Sequence, residues 1–125
     1  MTKTSRYSYA ETVAKLAAAI ASAGNTIFAT IDQSAAAASA GLTLRPTTLI
    51  VFGNPKGGTP FMNAFPIVGL ELPLKLLVWE EPNAVNVAYA SMSEIAARHG
   101  VTGMDARVAA IDAALEALTS SVAVA

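Results

Sequence analysis

Residues 53–59 carry the residue types best suited to binding a small molecule. The apolar, β-preferring run at residues 49–52 ends there at Gly-Asn-Pro-Lys-Gly-Gly-Thr. Glycine-rich turns let successive backbone amides converge on an anion, and the N-terminus of a following helix adds a favourable dipole. Lys56 lies inside this segment and Thr59 supplies a hydroxyl. These residues predict a site for a small anionic ligand; the alternative is an ordinary turn with a solvated lysine at its tip.

Basic residues flank this segment on both sides. From residue 45 to residue 75 the charged residues are Arg45, Lys56, Lys75 and the single acid Glu71, so three positive charges and one negative give +2 in a chain of net charge −1. A guanidinium can clamp a carboxylate or phosphate at two points, and an ion pair with Asp32 is the other role open to Arg45. Lys75 points either into a cleft or into water. The predicted ligand-binding residues are Arg45, Asn54, Lys56, Gly57, Gly58, Thr59 and Lys75.

A small enzyme is the second functional hypothesis, although the sequence identifies no catalytic residue. Lys75 or His99, the only histidine, would act as acid or base, with Asp32 orienting it. His99 also stands where a helix is predicted to end, and a protonated histidine there stabilises a helix by about 0.3–1 kcal/mol. A purely structural or interaction protein, whose 53–59 segment closes a dimer interface, is the third hypothesis.

Several classes of protein are disfavoured by the composition. The chain has no cysteine, which excludes thiol nucleophiles, disulfides and cysteine-ligated zinc or iron–sulfur sites. The lone histidine lacks partners for a metal site, and we expect neither a metal nor another cofactor. A net charge of −1 without basic runs argues against nucleic-acid binding. No stretch reaches the roughly 20 apolar residues that span a bilayer, so we expect no membrane insertion and a cytoplasmic location.

The composition also predicts a single domain, residues 1–125, that associates with further copies of itself. The hydrophobic fraction is 54% and the charged fraction only 14%, whereas globular chains average about 25% charged residues. This shortage of surface charge predicts that part of the surface is hidden against another subunit; the alternative is a monomer with an alanine-rich, uncharged surface. Residues from about 6 to 119 are expected to form the ordered core, with residues 1–5 and 120–125 fraying.

Periodicity and capping residues predict alternating strands and helices that place the 53–59 segment after a buried strand. Ser8 and Glu11 have the spacing of a capping box, and Gly24 provides a helix C-terminus. Thr59 followed by Pro60 has the form of a helix N-cap. The almost purely apolar strand 47–52 is expected mid-sheet with both faces covered. The predicted strands cover residues 6–9, 26–31, 47–52, 74–80 and 84–89. The first predicted helix ends near residue 23, and the second and third cover residues 35–40 and 60–65. A fourth helix follows a Ser91 cap to residue 99, and a fifth runs from about residue 104 to residue 119.

Four sequence blocks, in order, resemble the bacterial domain-of-unknown-function family 302. They are Leu44-Arg45-Pro46, Phe52-Gly53-Asn54-Pro55-Lys56, Gly58-Thr59-Pro60 and Leu72-Pro73-Leu74-Lys75. The resemblance runs from about residue 12 to residue 118. It implies an α+β fold in which a curved, largely antiparallel sheet packs against helices, with the outline of the TATA-box-binding protein, and it implies dimers. It brings no settled biochemical role.

One position departs from the family pattern. Members commonly carry Asp-His after the second strand, where this chain has Asp32-Gln33. Glutamine hydrogen-bonds but does not titrate. Any proton transfer or metal binding by that histidine elsewhere in the family is therefore not expected here.

Overall fold

An antiparallel sheet of five strands forms the centre of the structure, a computed structural model that describes all 125 residues. The strands are β1 (Thr2–Thr4), β2 (Thr26–Asp32), β3 (Thr47–Gly53), β4 (Leu74–Glu81) and β5 (Ala84–Ala88). The helices are α1 (Tyr9–Ser22), α2 (Gln33–Ser39), α3 (Pro55–Ala64), α4 (Met92–Arg98) and α5 (Asp105–Ser120), with a 3-10 helix (Pro66–Leu70) before β4. The strand order is β1-β5-β4-β3-β2. The predicted α+β class, an antiparallel sheet packed against helices, is confirmed.

One face of the sheet carries the main hydrophobic core. In β3, Ile50 and Phe52 are fully buried, whereas Leu49 and Val51, which point the other way, are only half-buried. The buried set packs against α1 and α5, because these helices contribute the apolar side chains of the same cluster. β3 does lie inside the sheet, but only its inner-face side chains are fully buried, so the expectation that both faces are equally covered is wrong. The buried core residues are Leu16, Ile20, Ile50, Phe52, Leu76, Val78, Val85, Val87, Tyr89, Leu115, Leu118 and Val122.

A second, smaller core joins the remaining helices. Phe61 of α3, Val68 of the 3-10 helix, and Met92 and Ile95 of α4 are buried together. The carboxylate of Asp112 on α5 accepts hydrogen bonds from the first backbone amides of α4, at 2.6 Å from the Met92 nitrogen. This packing holds α3 at a fixed position beside α5, which matters for the site.

The two predicted N-caps at Ser8 and Ser91 are present, and Asp32 caps a third helix. The Ser8 hydroxyl accepts from the Glu11 amide at the start of α1, and Ser91 with Glu94 forms a reciprocal capping box on α4. Asp32 caps α2 by accepting from the Ala35 amide at 2.9 Å. These side chains satisfy amide groups that the first helical turn leaves unpaired.

The beginning of the chain differs from the sequence-based prediction. The first strand is Thr2–Thr4, paired with β5, and not residues 6–9. Ser5 forms a bridge with Ala123, so both chain ends, which were expected to fray, lie against the sheet. The alternating pattern at residues 6–9 instead comes from a turn followed by the first residue of α1. Elsewhere, no helix combines the length and the apolar character needed to cross a bilayer.

Candidate functional site

The 53–59 segment begins a helix. Helix α3 starts at Pro55 with Asn54 as its N-cap, whereas the sequence-based prediction started it at Pro60 behind a Thr59 cap. The Asn54 side-chain oxygen accepts a hydrogen bond from the Lys56 amide at 3.0 Å. Pro55 fits the first helical position because proline has no amide to satisfy there. Asn54-Pro55 is therefore the real start of the helix, and the loop expected between strand and helix is missing.

The backbone amides of this segment are already hydrogen-bonded. The Gly57 and Gly58 amides both donate to the Asn54 carbonyl, at 2.9 and 3.1 Å, and the Lys56 amide donates to the Asn54 side chain. The expected cluster of unpaired amides is therefore wrong, because it required a loop that the helix replaces. The Lys56 side chain and the Thr59 hydroxyl remain exposed and form no hydrogen bond within the protein.

A cavity of about 460 Å³ lies directly in front of this first turn of α3. Its volume falls within the range of small-molecule sites. Strand β3 and α5 form its deep side, and the approach to β4 closes another side. The lining residues are Ala23, Asn25, Phe28, Phe52, Gly53, Asn54, Pro55, Gly57, Gly58, Thr59, Met62, Leu72, Pro73, Leu74, Ala110, Ile111, Ala114, Leu115 and Leu118.

A bulge in β2 directs one aromatic ring into this cavity. The pairing register between β2 and β3 shifts between Ile27 and Ala29, so Phe28 is the extra residue. A bulge of this kind redirects a side chain away from the regular alternation. The Phe28 ring lies against Gly53, 55% exposed, and lines the cavity. An exposed aromatic ring beside a hollow provides apolar surface that a ligand can cover.

The two central glycines have different surroundings. A Cβ at Gly58 would lie 3.3 Å from the Leu72 side chain, so α3 approaches the β4 connection closely at this point. A Cβ at Gly57 would meet nothing within 4 Å, because that position faces the open cavity. Small residues here keep the cavity open along the first turn of α3.

The lining contains no charged side chain. Its polar side chains are those of Asn25, Asn54 and Thr59, and most of the remaining lining is apolar. Lys56 stands between two lining residues, Pro55 and Gly57, with its own side chain exposed outside the cavity. The arrangement accommodates an apolar group inside and a charged group only at the mouth.

Arg45 does not belong to this site. It precedes β3, whereas the cavity lies at the other end of that seven-residue strand, roughly 20 Å away at about 3.3 Å per residue. Its guanidinium lies 3.7 Å from the Glu81 carboxylate. The predicted pairing with Asp32 is wrong, since Asp32 caps α2, where hydrogen bonds from Ser34 and Ala35 lower the pKa of Asp32.

A second, wider hollow of about 910 Å³ adjoins Arg45. Its charged lining consists of Arg6, Arg45, Glu80 and Glu81, so the two signs balance. Such a surface gives no net attraction to an anion.

The predicted acid–base residues do not assemble. The Lys75 amino group donates to the backbone carbonyls of Glu71 and Pro73, both at 3.1 Å. His99 is mostly buried, with its Nε2 atom 3.7 Å from the Glu71 carboxylate and no hydrogen-bond partner. Asp32, the proposed orienting group, lies at the opposite end of the sheet from both. No group of three or more histidine, aspartate or glutamate side chains comes together in a way that could hold a metal.

Several residues that line the cavity were not predicted as site residues from the sequence. Phe28 looked like an ordinary strand residue, and Met62 like a core residue of a short helix. Ala110 and Ala114 of α5 are four residues apart, a spacing that puts both on one helix face. Alanine is frequent throughout the chain, so the sequence gives no signal for these two positions.

The fold and cavity define a small α+β domain with an apolar hollow at the start of its third helix. A family model described as "Domain of unknown function DUF302" matches residues 1–120, and the chain belongs to this family. The fold is similar to the crystal structure of uncharacterized conserved protein DUF302 from Bacillus stearothermophilus, with a TM-score of 0.88 and 19% identity over 96% of this chain and 94% of that chain.

Part of the chain is also similar to proteins named as fluoride-specific ion channels. FluC 1 of Brucella suis biovar 1 is 46% identical over 81 residues, which cover 65% of this chain and 32% of that protein. FluC 2 of Brucella melitensis biotype 1 is likewise 46% identical over 81 residues and 30% of its length. The chain thus matches about a third of the length of these relatives.

Proposed function

We propose that the chain is a homodimeric binding domain for a small amphipathic anion. The apolar body of the ligand occupies the cavity, and its anionic head group lies at the mouth beside Lys56 and Thr59. The observation that supports this proposal is the 460 Å³ cavity, which has an uncharged, mostly apolar lining beside the N-terminal end of α3.

The apolar contacts supply most of the expected affinity. Burial of each methylene group is worth about 0.8 kcal/mol, so several methylenes outweigh any single contact at the mouth. The positive end of the α3 dipole adds about 0.3–1 kcal/mol for an anionic head group. Lys56 is exposed, and a solvent-exposed ion pair contributes about 0–1 kcal/mol. Chain length should therefore set affinity, and the head group should set a modest preference.

Thermal unfolding with matched ligands tests this proposal. We expect decanoate to raise the melting temperature more than decanol, and both more than acetate or phosphate. Ala114 lines the cavity, whereas its neighbour Ala113 is exposed outside it. Ala114→Phe should therefore abolish the response to decanoate and decanol, and Ala113→Phe should preserve it.

A second pair of variants tests the head-group contact. Lys56→Ala should weaken the decanoate response and leave the decanol response unchanged. Lys15→Ala removes the same charge from α1 at a position that does not line the cavity. It should change neither the decanoate response nor the decanol response. If decanoate stabilises wild type and the Ala114→Phe variant equally, the cavity is not its site.

The channel-named relatives favour a second candidate function, in which this domain accompanies or forms part of an anion transporter and its anion is fluoride. Fluoride would then raise the melting temperature above that in chloride at equal ionic strength. Equal melting temperatures in the two salts would contradict this candidate and leave the amphipathic ligand unaffected.

A further inference from the structure

A group of exposed apolar side chains lies on α3 and the 3-10 helix, beside the cavity. Met62, Ile67 and Leu70 form this group, here called the 62–70 patch, and are 37%, 50% and 74% exposed. Ile67 and Leu70 are three residues apart in the 3-10 helix, so their side chains point to the same side. Between them, Val68 is buried in the second core, and a Cβ atom at Gly69 would lie 3.8 Å from the Met62 sulfur. Met62 therefore packs beside the 3-10 helix and extends the patch onto α3.

The 62–70 patch continues into the rim of the cavity. Met62 lines the cavity as well as belonging to the patch, and Phe28 and Met62 are the two large apolar lining residues that are exposed. Leu70 is the most exposed large hydrophobic residue of the chain. Exposed apolar side chains grouped in this way mark a contact with a partner or a membrane. A side chain that protrudes as far as Leu70 suits insertion between lipid chains better than it suits a flat protein interface.

Two lysines that form no ion pair accompany the patch. The Lys75 amino group lies 3.1 Å from the Glu71 carbonyl oxygen, at the end of the 3-10 helix, and Lys56 is exposed on the first turn of α3. The acid in this region is already paired, because the Arg98 guanidinium lies 2.5 Å from the Glu71 carboxylate. Residues 47–79 contain no other charged side chain. The two lysines therefore give this side of the protein a positive charge.

The rest of the chain has the opposite charge. Lys56, Lys75 and Arg98 with Glu71 sum to +2, so a net charge of −1 leaves −3 for all other residues, which are five basic and eight acidic. An anionic surface therefore attracts the side that carries the 62–70 patch and repels the remainder, which orients the protein. Lysines beside exposed apolar side chains are the combination by which peripheral proteins bind anionic bilayers.

We infer that the 62–70 patch binds the surface of an anionic lipid bilayer, with its three apolar side chains below the lipid head groups and Lys56 and Lys75 at the level of the phosphates. Such binding is peripheral and reversible, unlike the insertion of a membrane-spanning helix. The inference goes beyond the proposed function, because Ile67 and Leu70 lie outside the cavity. The same orientation turns the Met62 side of the cavity rim towards the lipid.

Co-sedimentation with lipid vesicles tests the charge contribution. We expect the wild-type chain to bind vesicles of an equal mixture of phosphatidylglycerol and phosphatidylcholine at least about five-fold more tightly than vesicles of phosphatidylcholine alone, because each lysine near an anionic surface is worth a factor of about five. Added salt should weaken the binding to the mixed vesicles. Lys75→Gln should weaken it about five-fold, whereas Lys15→Gln, which removes the same charge from α1, should leave it unchanged.

Two exposed leucines provide a matched pair for the apolar contribution. Leu70 belongs to the patch, whereas Leu42 is 66% exposed and precedes β3, at the end of that strand away from the cavity. Leu70→Ser should weaken binding to the mixed vesicles about tenfold, and Leu42→Ser should leave it unchanged. Both variants should keep the wild-type melting temperature, so that a loss of binding does not reflect unfolding.

Three results would overturn the inference. They are equal losses of binding for Leu70→Ser and Leu42→Ser, equal binding to the two kinds of vesicle, and a wild-type chain that sediments with neither, which would leave a protein as the partner of the patch. The decanoate response in buffer without vesicles measures the cavity alone. Stabilisation by decanoate without vesicle binding therefore refutes only this inference, and vesicle binding without a decanoate response refutes only the ligand proposal.

Discussion

Substituting the glycines of α3 one at a time tests whether they lie in a helix or in a loop. Gly57 is the third residue of α3, and a methyl group there would meet no atom within 4 Å. Alanine is favoured over glycine inside a helix by about 0.5–1 kcal/mol, because glycine loses more backbone freedom on folding. We therefore expect Gly57→Ala to stabilise the protein by about 0.5 kcal/mol, the low end of that range in a first turn.

The neighbouring glycine provides the matched control. A methyl group at Gly58 would lie 3.3 Å from the Leu72 Cδ1 atom, so Leu72 must move by a few tenths of an ångström. That displacement offsets the helix preference, and Gly58→Ala should change stability less than Gly57→Ala.

Urea unfolding and thermal unfolding, both followed by circular dichroism, measure the stability of the two variants. A gain of 0.5 kcal/mol corresponds to a rise of about 2 °C in melting temperature for a domain of this size. If Gly57→Ala destabilises the protein, position 57 has a left-handed or loop conformation, and the helix start at Asn54-Pro55 is wrong. If both substitutions stabilise equally, the close approach of Leu72 is not present in solution.

Three further predictions concern the second core, a surface ion pair and a helix cap. Phe61 is fully buried in the second core, so Phe61→Ala should cost about 3–5 kcal/mol in urea unfolding, whereas Leu70→Ala at an exposed site should cost under about 0.5 kcal/mol. Lys3 and Ser120 hydrogen-bond to Glu116 and lower its pKa; Glu116→Gln should therefore reduce stability at neutral pH, and the difference from wild type should disappear as pH falls well below 4.5. Asp32→Ala removes the cap of α2 and should cost about 0.5–2 kcal/mol; an unchanged midpoint would show that this short helix adds nothing to global stability.

Features decided by neighbouring residues were predictable from the sequence. Ser8 and Ser91 define helix starts by their own side chains, and Gly24 ends α1 with a φ of 83°. The apolar run of β3 predicted a strand within the sheet, although an apolar run alone does not reveal that the side chains of one face are only half-buried.

The missed features depend on contacts between distant parts of the chain. Residues 2–4 form a strand because β5 offers them an edge. The cavity exists because α5 and α3 are held apart beside β3, and neither helix alone specifies that distance. Arg45 and Lys56 looked close in sequence, but β3 separates them by its full length.

The predicted start of α3 was wrong because of a choice between two local motifs. The motif Thr59-Pro60 competed with Asn54-Pro55 as a helix start, and both have the composition of a cap followed by proline. The hydrogen bond from the Lys56 amide to Asn54 decided for the earlier one. The same hydrogen bond occupies an amide that the anion-site hypothesis required to be free.

Amide chemical-shift mapping during a decanoate titration tests the binding proposal most directly. We expect saturable shifts grouped at Gly57, Gly58, Thr59 and Ala114, which disappear in the Ala114→Phe variant and persist in Ala113→Phe. Shifts that fail to saturate, or that gather around Arg45 at the other end of β3, would contradict it.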